Sequence, residues 1–407
     1  MILIFAFFLV GLLSALFSIL ILRRYSALYI VLTFLFFLIL FISFFLLFEF
    51  PDNSLSTFDG IYYLERLNLY RQGVLIGGDS SLRIRDVGFD LFINYFFKAF
   101  DCIYPLTSPI SYYLALAPNI LSGCLLVLAL QEYVSSSISR NFLSLPFFCP
   151  YIIAFSISLD REIVIALCVC LFAIFSCSTA RFAFPALALL SFFLLFLRPS
   201  MLFVLLAALV LRYLFLSFNL STSYIKLFVF ALFLSLIFSP SFFFGSESFA
   251  LVRTNFNAAG DTSGLLGAVL DYPPVLRGLL YLIASFLTPL FDSSLLLTSP
   301  IDFILSFSAL WKLFILYLLA QLFVTRGFKL IFTDSNSLFL IFSLCIGYFF
   351  YSALLFNNRH IAQLVPLAYI SIFYISNLSP VRNPSKLLLY FFLMISSAYF
   401  FYSLVVL

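Results

Sequence analysis

The stretch that decides the fold is residues 163–197, IVIALCVCLFAIFSCSTARFAFPALALLSFFLLFL. Two almost wholly apolar runs lie on either side of Arg181, with Asp-Arg-Glu at 160–162 before the first run and Arg198 directly after the second. The hydrocarbon core of a bilayer is about 30 Å thick, and about 20 residues of apolar helix cross it. The stretch therefore predicts two neighbouring membrane helices joined by a short polar turn.

The rest of the chain has the same character. Of its 407 residues, 64% are hydrophobic and only 9% are charged, whereas a water-soluble chain carries about 25% charged residues. This composition excludes a soluble enzyme, a secreted disulfide scaffold, a disordered regulator and a nucleic-acid-binding protein. The seven cysteines form no Cys-x-x-Cys pair, so neither a zinc site nor a disulfide framework is predicted.

Twelve apolar runs qualify as membrane spans, which predicts an all-α polytopic integral membrane helix bundle. A further apolar piece at 278–291 is too short to span easily and contains Pro289, so we predict that it re-enters the membrane or lies at its interface. The twelve predicted spans are residues 1–22, 27–48, 110–130, 142–159, 163–178, 182–197, 201–218, 224–243, 303–324, 338–356, 361–378 and 387–407.

The placement of Lys and Arg predicts the orientation. Arg23 and Arg24 put the first short loop in the cytoplasm, and alternation of the spans assigns the others. The cytoplasmic loops then hold 10 of the 21 basic residues and only two of the 17 acids, and the other 11 basic residues lie outside. Both termini are predicted to face outward.

We predict a single polytopic domain over residues 1–407 with two outward excursions. The first, at 49–109, contains a Gly-Gly-Asp-Ser turn at 77–80 followed by aromatic and aliphatic residues at helical spacing. That spacing predicts an amphipathic helix at the outer interface. The second, at 244–302, has a loop composition and contains the segment 278–291.

Five arginines on the predicted outer side exceed what topology requires. A guanidinium near the apolar core is costly unless it pairs or faces a wet cavity, and it matches phosphate oxygens with a bidentate fork. Local pairing, such as Arg161 with Asp160 or Glu162, is an alternative for any single arginine, but the set favours an anionic ligand. The five candidates are Arg161, Arg198, Arg253, Arg277 and Arg359.

Two acids and the only histidine are the candidate catalytic groups. Asp59, in Thr-Phe-Asp-Gly-Ile-Tyr-Tyr, and Asp86, in Arg-Ile-Arg-Asp-Val-Gly-Phe-Asp, both lie in the first excursion. Glycosyl transfer needs a base that deprotonates the acceptor hydroxyl, and a carboxylate beside a cation suits that role. His360 is the third candidate base. Surface salt bridges and an interfacial histidine are the structural alternatives, and no cluster predicts a metal.

In their order along residues 50–370, these motifs resemble the EpsG/Wzy-like polymerases of bacterial surface polysaccharide, which are GT-C-like in layout. The family has an Asp followed by tyrosines, an acidic Gly-Phe motif, a charged helix start, a basic-Pro-Ser turn and a late Arg-led stretch ending in Pro. Val87 replaces the family's usual Pro, and Arg198 stands where a His is frequent. The matching segments are 59–63, 86–89, 159–162, 198–200 and 358–366.

The resemblance implies a metal- and cofactor-independent glycosyltransferase of the bacterial inner membrane, active on the periplasmic face. It implies transfer of a growing glycan from one undecaprenyl diphosphate to the non-reducing end of a second lipid-linked repeat unit. A chain-length regulator and a flippase of the same pathway are the implied protein partners. The five arginines then contact diphosphate and glycan, and Asp59, Asp86 or His360 serves as base or sugar contact.

Two other functions stay open on the sequence. A GT-C transferase that uses a polyprenyl-phosphate sugar is favoured by an acidic pair with bound metal in the first loop. A flippase or other transporter of lipid-linked sugars is favoured by basic residues lining a path through the membrane and often by an inverted repeat, and the sequence displays neither.

Overall fold

In a computed structural model of the chain, every regular element of the described residues is a helix. Those residues are 110–131, 145–158, 160–218, 300–326, 333–354, 361–378 and 386–406, with Tyr224 and Leu287. The α-helices are α1 (Ile110–Gln131), α2 (Pro150–Ser156), α3 (Glu162–Ser176), α4 (Ala183–Leu197), α5 (Pro199–Ser217), α6 (Pro300–Ser306), α7 (Ser308–Arg326), α8 (Ser335–Leu354), α9 (Val365–Asn377) and α10 (Lys386–Val406). Two 3₁₀ turns cover Leu145–Phe148 and Ala362–Leu364.

Eight of the predicted spans coincide with helices to within a few residues at their ends. The run 303–324 is divided between α6 and α7 at Phe307, and the run 361–378 begins with a 3₁₀ turn before α9. The predicted spans at 1–22, 27–48 and 224–243 lie outside the described residues, apart from Tyr224, as does the excursion 49–109. The segment 278–291 does too, apart from Leu287, so the total of twelve stays a prediction.

The run 142–159, predicted as one spanning helix, is not a continuous helix in its described part. The described part consists of a 3₁₀ turn followed by α2, which has only seven residues and is therefore about 10 Å long. Proline explains the interruption, because it lacks an N–H group and disfavours the helical conformation in the residue before it. Cys149, which precedes Pro150, is accordingly extended, with φ −71° and ψ 116°.

The chain forms two compact units, Met1–Leu202 with Asp292–Leu305 and Phe203–Phe291 with Ser306–Leu407. In the first unit α1 packs against α2 and α3, and α3 packs against α4. Gly123 permits the close approach of α1 to α2. A Cβ atom there would overlap the Ser156 hydroxyl and lie 3.0 Å from the Ser156 Cβ, and it would lie 3.8 Å from Ile163 Cγ1 in α3.

The second unit is built on α7, which packs against α9 and α10, and on the pair α8 and α9. Stacked rings join α7 to α10, with 4.9 Å between the centroids of Tyr317 and Phe392. Gly347 of α8 lies against the side chain of Leu364, which a Cβ atom would meet at 2.5 Å. Aromatic stacking and a small residue thus set the helix spacing here.

The described helices bury mostly apolar side chains, and they also leave many large apolar side chains exposed. Phe184 and Leu387 are among many large apolar side chains that are exposed, at 81% and 78%. Among the described residues, two helical stretches are both long and apolar enough to cross a bilayer. They are Pro199–Ser217, which is α5, and Ile301–Val324, which includes the break between α6 and α7. Exposed apolar faces of this extent are expected where lipid is the solvent.

Candidate functional site

Five charged side chains are buried among the described residues, and four of them lie in the first unit. Asp160 is fully buried, and Arg161, Glu162 and Arg198 expose only 6%, 2% and 4% of their surfaces. The fifth, Lys312 of α7, lies in the second unit. Removing an ion from water costs several kcal/mol, so buried ionisable groups in a membrane helix bundle mark a candidate functional site.

The four charges of the first unit lie around a turn between α2 and α3 and at the end of α4. Asn119, the tenth residue of the 22-residue helix α1, donates hydrogen bonds from Nδ2 to the backbone oxygens of Ser158 and Asp160, at 2.6 and 2.7 Å. One helical turn further along α1, Gly123 faces both α2 and α3. The helix α2 therefore runs along α1 toward Asn119. The chain reverses beside Asn119 and runs back along α1 as the helix α3.

Asn119 makes this turn tolerable in an apolar interior. Ser158 and Asp160 lie between the two helices, so their backbone oxygens lack the regular partners that a helix supplies. A buried carbonyl without a donor costs about 1–3 kcal/mol, and irregular backbone at membrane depth needs such partners from neighbouring helices. The fully buried Asn119 amide supplies two of them.

The helix α3 begins inside this interior without a side-chain cap at Arg161. The first-turn amides of a helix have no intrahelical acceptor, and they carry a partial positive charge. Glu162, in the first turn, complements that charge, and Ile165 N donates to the Arg161 oxygen at 3.0 Å. The start of α3 thus presents donor groups, an arrangement that suits phosphate or other oxygen ligands.

Arg198 separates α4 from α5, and its backbone groups hydrogen-bond to residues of both helices. Its N–H donates to the Leu194 oxygen at 2.7 Å, and its own oxygen accepts from the Met201 and Leu202 amides at 3.0 and 3.3 Å. Pro199 then begins α5, as suits a residue with no N–H to satisfy. Because α3 and α4 form an antiparallel hairpin, Arg198 lies at the same end of it as the start of α3.

Arg161 and Arg198 therefore share one end of the α3–α4 hairpin, whereas Arg181 lies at the opposite end and is exposed. The sequence predicts Arg161 at an outer helix end. In the structure its neighbour Asp160 lies beside Asn119, the tenth residue of α1, and the outer location of Arg161 stays a prediction.

Asn119 and Ser158 each hold one polar atom at the turn that has no hydrogen-bond partner among the described residues. The atoms are Asn119 Oδ1 and Ser158 Oγ, and the two residues expose 0% and 2% of their surfaces. Sequence reasoning missed both residues. The available signal was Pro118-Asn119 in the middle of an apolar run, because an amide there needs a polar partner.

The structure brings together two of the predicted site residues, Arg161 and Arg198. The other six lie outside the described residues, so their predicted roles stay predictions. They are Asp59, Asp86, Arg253, Arg277, Arg359 and His360.

No group of three or more His, Cys, Asp and Glu that could hold a metal ion occurs within the described ranges. Gln363, fully buried in the second unit, accepts a hydrogen bond at Oε1 from the Tyr351 hydroxyl at 3.1 Å. It lies three positions after His360 of the predicted Arg359–His360 motif. Comparison with protein-family models, with curated proteins and with solved structures found no match to this chain.

Proposed function

We propose that this protein is a membrane glycosyltransferase that joins lipid-linked oligosaccharide repeat units at the outer face of the bacterial inner membrane. The glycan carried by one undecaprenyl diphosphate is transferred to the non-reducing end of a second repeat unit. The lipid-linked oligosaccharide is both donor and acceptor, and no nucleotide sugar, metal or other cofactor takes part. A flippase that delivers the repeat unit and a chain-length regulator are the proposed partners.

The main support is the location of Arg161 and Arg198 at the same end of the α3–α4 hairpin. They are 37 positions apart in the sequence, both were candidates from the sequence, and both are more than nine-tenths buried. The uncapped start of α3 lies at the same end. Two guanidinium groups and a helix N-terminus held in an apolar bundle suit a substrate rich in oxygen atoms.

The reaction breaks one bond and forms one. The acceptor hydroxyl oxygen attacks the anomeric carbon of the donor glycan, and the bond from that carbon to the diphosphate oxygen breaks. Undecaprenyl diphosphate leaves with the electron pair, so the leaving group needs no further activation by a nucleotide. The hydroxyl proton passes to a base, for which Asp59, Asp86 and His360 are the proposed residues.

Deleting the gene and examining the cell-surface glycan tests this function. Single repeat units, capped or lipid-linked, are expected in place of polymer, and polymer of normal chain length would refute the proposal. Complementation then tests the site: wild type restores polymer, and Arg161→Ala and Arg198→Ala do not. Arg181→Ala is the matched control, because this arginine is exposed at the other end of the hairpin, and it is expected to restore polymer.

A transporter of lipid-linked sugars is the second candidate function. It is favoured by the break between α2 and α3, since broken helices are typical of secondary transporters. The deletion strain separates the two functions. Loss of a flippase leaves the outer surface without repeat units, whereas loss of the polymerase leaves single repeat units there.

A further inference from the structure

The turn between α2 and α3 holds two polar atoms that the described protein does not satisfy, Asn119 Oδ1 and Ser158 Oγ. They are close in space, because Nδ2 of the same Asn119 amide donates to the backbone oxygen of Ser158 at 2.6 Å. The amide orientation is fixed by its two hydrogen bonds to backbone oxygens. An acceptor and a hydroxyl are thus left at the start of α3, and buried polar atoms are normally hydrogen-bonded.

The charges around this turn decide which part of a substrate it suits. In the first unit the buried charges of the described residues are two arginines, Arg161 and Arg198, and two acids, Asp160 and Glu162. Their formal charges sum to zero. A diphosphate needs an excess of positive charge, whereas a sugar needs both donors and acceptors for its hydroxyl groups. A charge-balanced set with one acceptor and one hydroxyl is matched to a neutral polyhydroxyl group.

We propose that the turn between α2 and α3 binds a sugar residue of the lipid-linked glycan, with Asn119 Oδ1 accepting a hydrogen bond from a sugar hydroxyl. Ser158 Oγ binds a second hydroxyl, and Arg161 contacts the glycan rather than the diphosphate. This inference rests on the proposed function and refines it. The diphosphate is then left to arginines elsewhere in the chain, of which Arg253, Arg277 and Arg359 are the sequence candidates.

Binding of two lipids to the purified full-length protein in detergent tests the inference. One probe is the lipid-linked repeat unit extracted from a strain that lacks the gene, and the other is undecaprenyl diphosphate without sugar. Ser158→Ala removes only the unsatisfied hydroxyl, and one lost hydrogen bond to a neutral ligand is expected to weaken binding of the repeat-unit lipid about three- to tenfold. Binding of the bare diphosphate lipid is expected to stay unchanged.

Ser156→Ala is the matched control, because Ser156 is equally buried two positions away and its hydroxyl already donates to the Ile152 oxygen. It is expected to leave both affinities unchanged. An equal loss for both lipids in Ser158→Ala would place the diphosphate at the turn and overturn the inference, as would no loss for either. Wild-type protein that binds neither lipid would overturn the proposed function itself.

Discussion

At the scale of single residues, the side chain of Asn119 connects two parts of the chain that are far apart in the sequence. Its amide joins the middle of α1 to both sides of a turn that is 39 and 41 positions away in the sequence. An apolar residue there would leave two carbonyls without donors. The placement of Arg161, which follows directly on Asp160, depends on this one side chain.

We therefore expect Asn119→Ala to lower the free energy of unfolding by roughly 2–4 kcal/mol, the cost of leaving two buried acceptors unsatisfied. Thermal unfolding in detergent measures the change. Ser122→Ala is the control, since Ser122 is on the same helix and is also buried, and it is expected to stay within about 1 kcal/mol of wild type. An Asn119→Ala protein as stable as wild type would show that the two hydrogen bonds contribute nothing.

At the scale of helices, the contact between α1 and α2 positions the turn. Small residues let helix backbones approach closely in membranes, and Gly123 has this role against Ser156. The approach is close enough to bring Asn119, one turn away, into hydrogen-bonding distance of the turn. Helix spacing and the hydrogen bonds of the site are therefore coupled.

Gly123→Ala is expected to destabilise the protein by about 1–3 kcal/mol through overpacking. In an unconstrained helix the same change would stabilise by about 1 kcal/mol, so the sign of the effect reports the contact. Ser156→Gly removes the atoms that a new Cβ would meet. A double-mutant cycle in detergent is expected to show that Gly123→Ala costs less in the Ser156→Gly background, and equal costs in both backgrounds would contradict the close contact.

At the scale of the whole molecule, the return of α2 and α3 preserves the orientation that the sequence predicts. In the predicted topology, the span 142–159 leads from the cytoplasmic side to the outside, and the span 163–178 leads back to the cytoplasmic side. A hairpin that reverses beside Asn119 also returns to that side, so the prediction of a cytoplasmic α3–α4 turn is unchanged.

Cysteine labelling in a variant without native cysteines tests this orientation. Thr179→Cys, at the exposed α3–α4 turn, and Asn383→Cys are expected to react only after the cytoplasmic side is made accessible. Ser80→Cys, in the first excursion, is expected to react in intact cells. Labelling of Asn383→Cys from outside would refute the orientation.

The sequence by itself determined where most of the described helices begin and end and which arginines are unusual. Helix length against bilayer thickness is a local property, and so is the presence of Arg161 and Arg198 beside apolar runs. The interruption of the run 142–159 was not predicted, because apolar composition is the same in a continuous helix and in one that is broken before Pro150.

Helix packing was needed to show the reversal between α2 and α3 and the location of Arg161 and Arg198 at one end of the α3–α4 hairpin. It also identified Asn119, for which Pro118-Asn119 in an apolar run was the only local signal, and Ser158, for which the sequence offers no signal. The physical reason is that hydrogen bonds between positions about 40 residues apart set that turn. Such bonds depend on how helices pack rather than on the composition of any one of them.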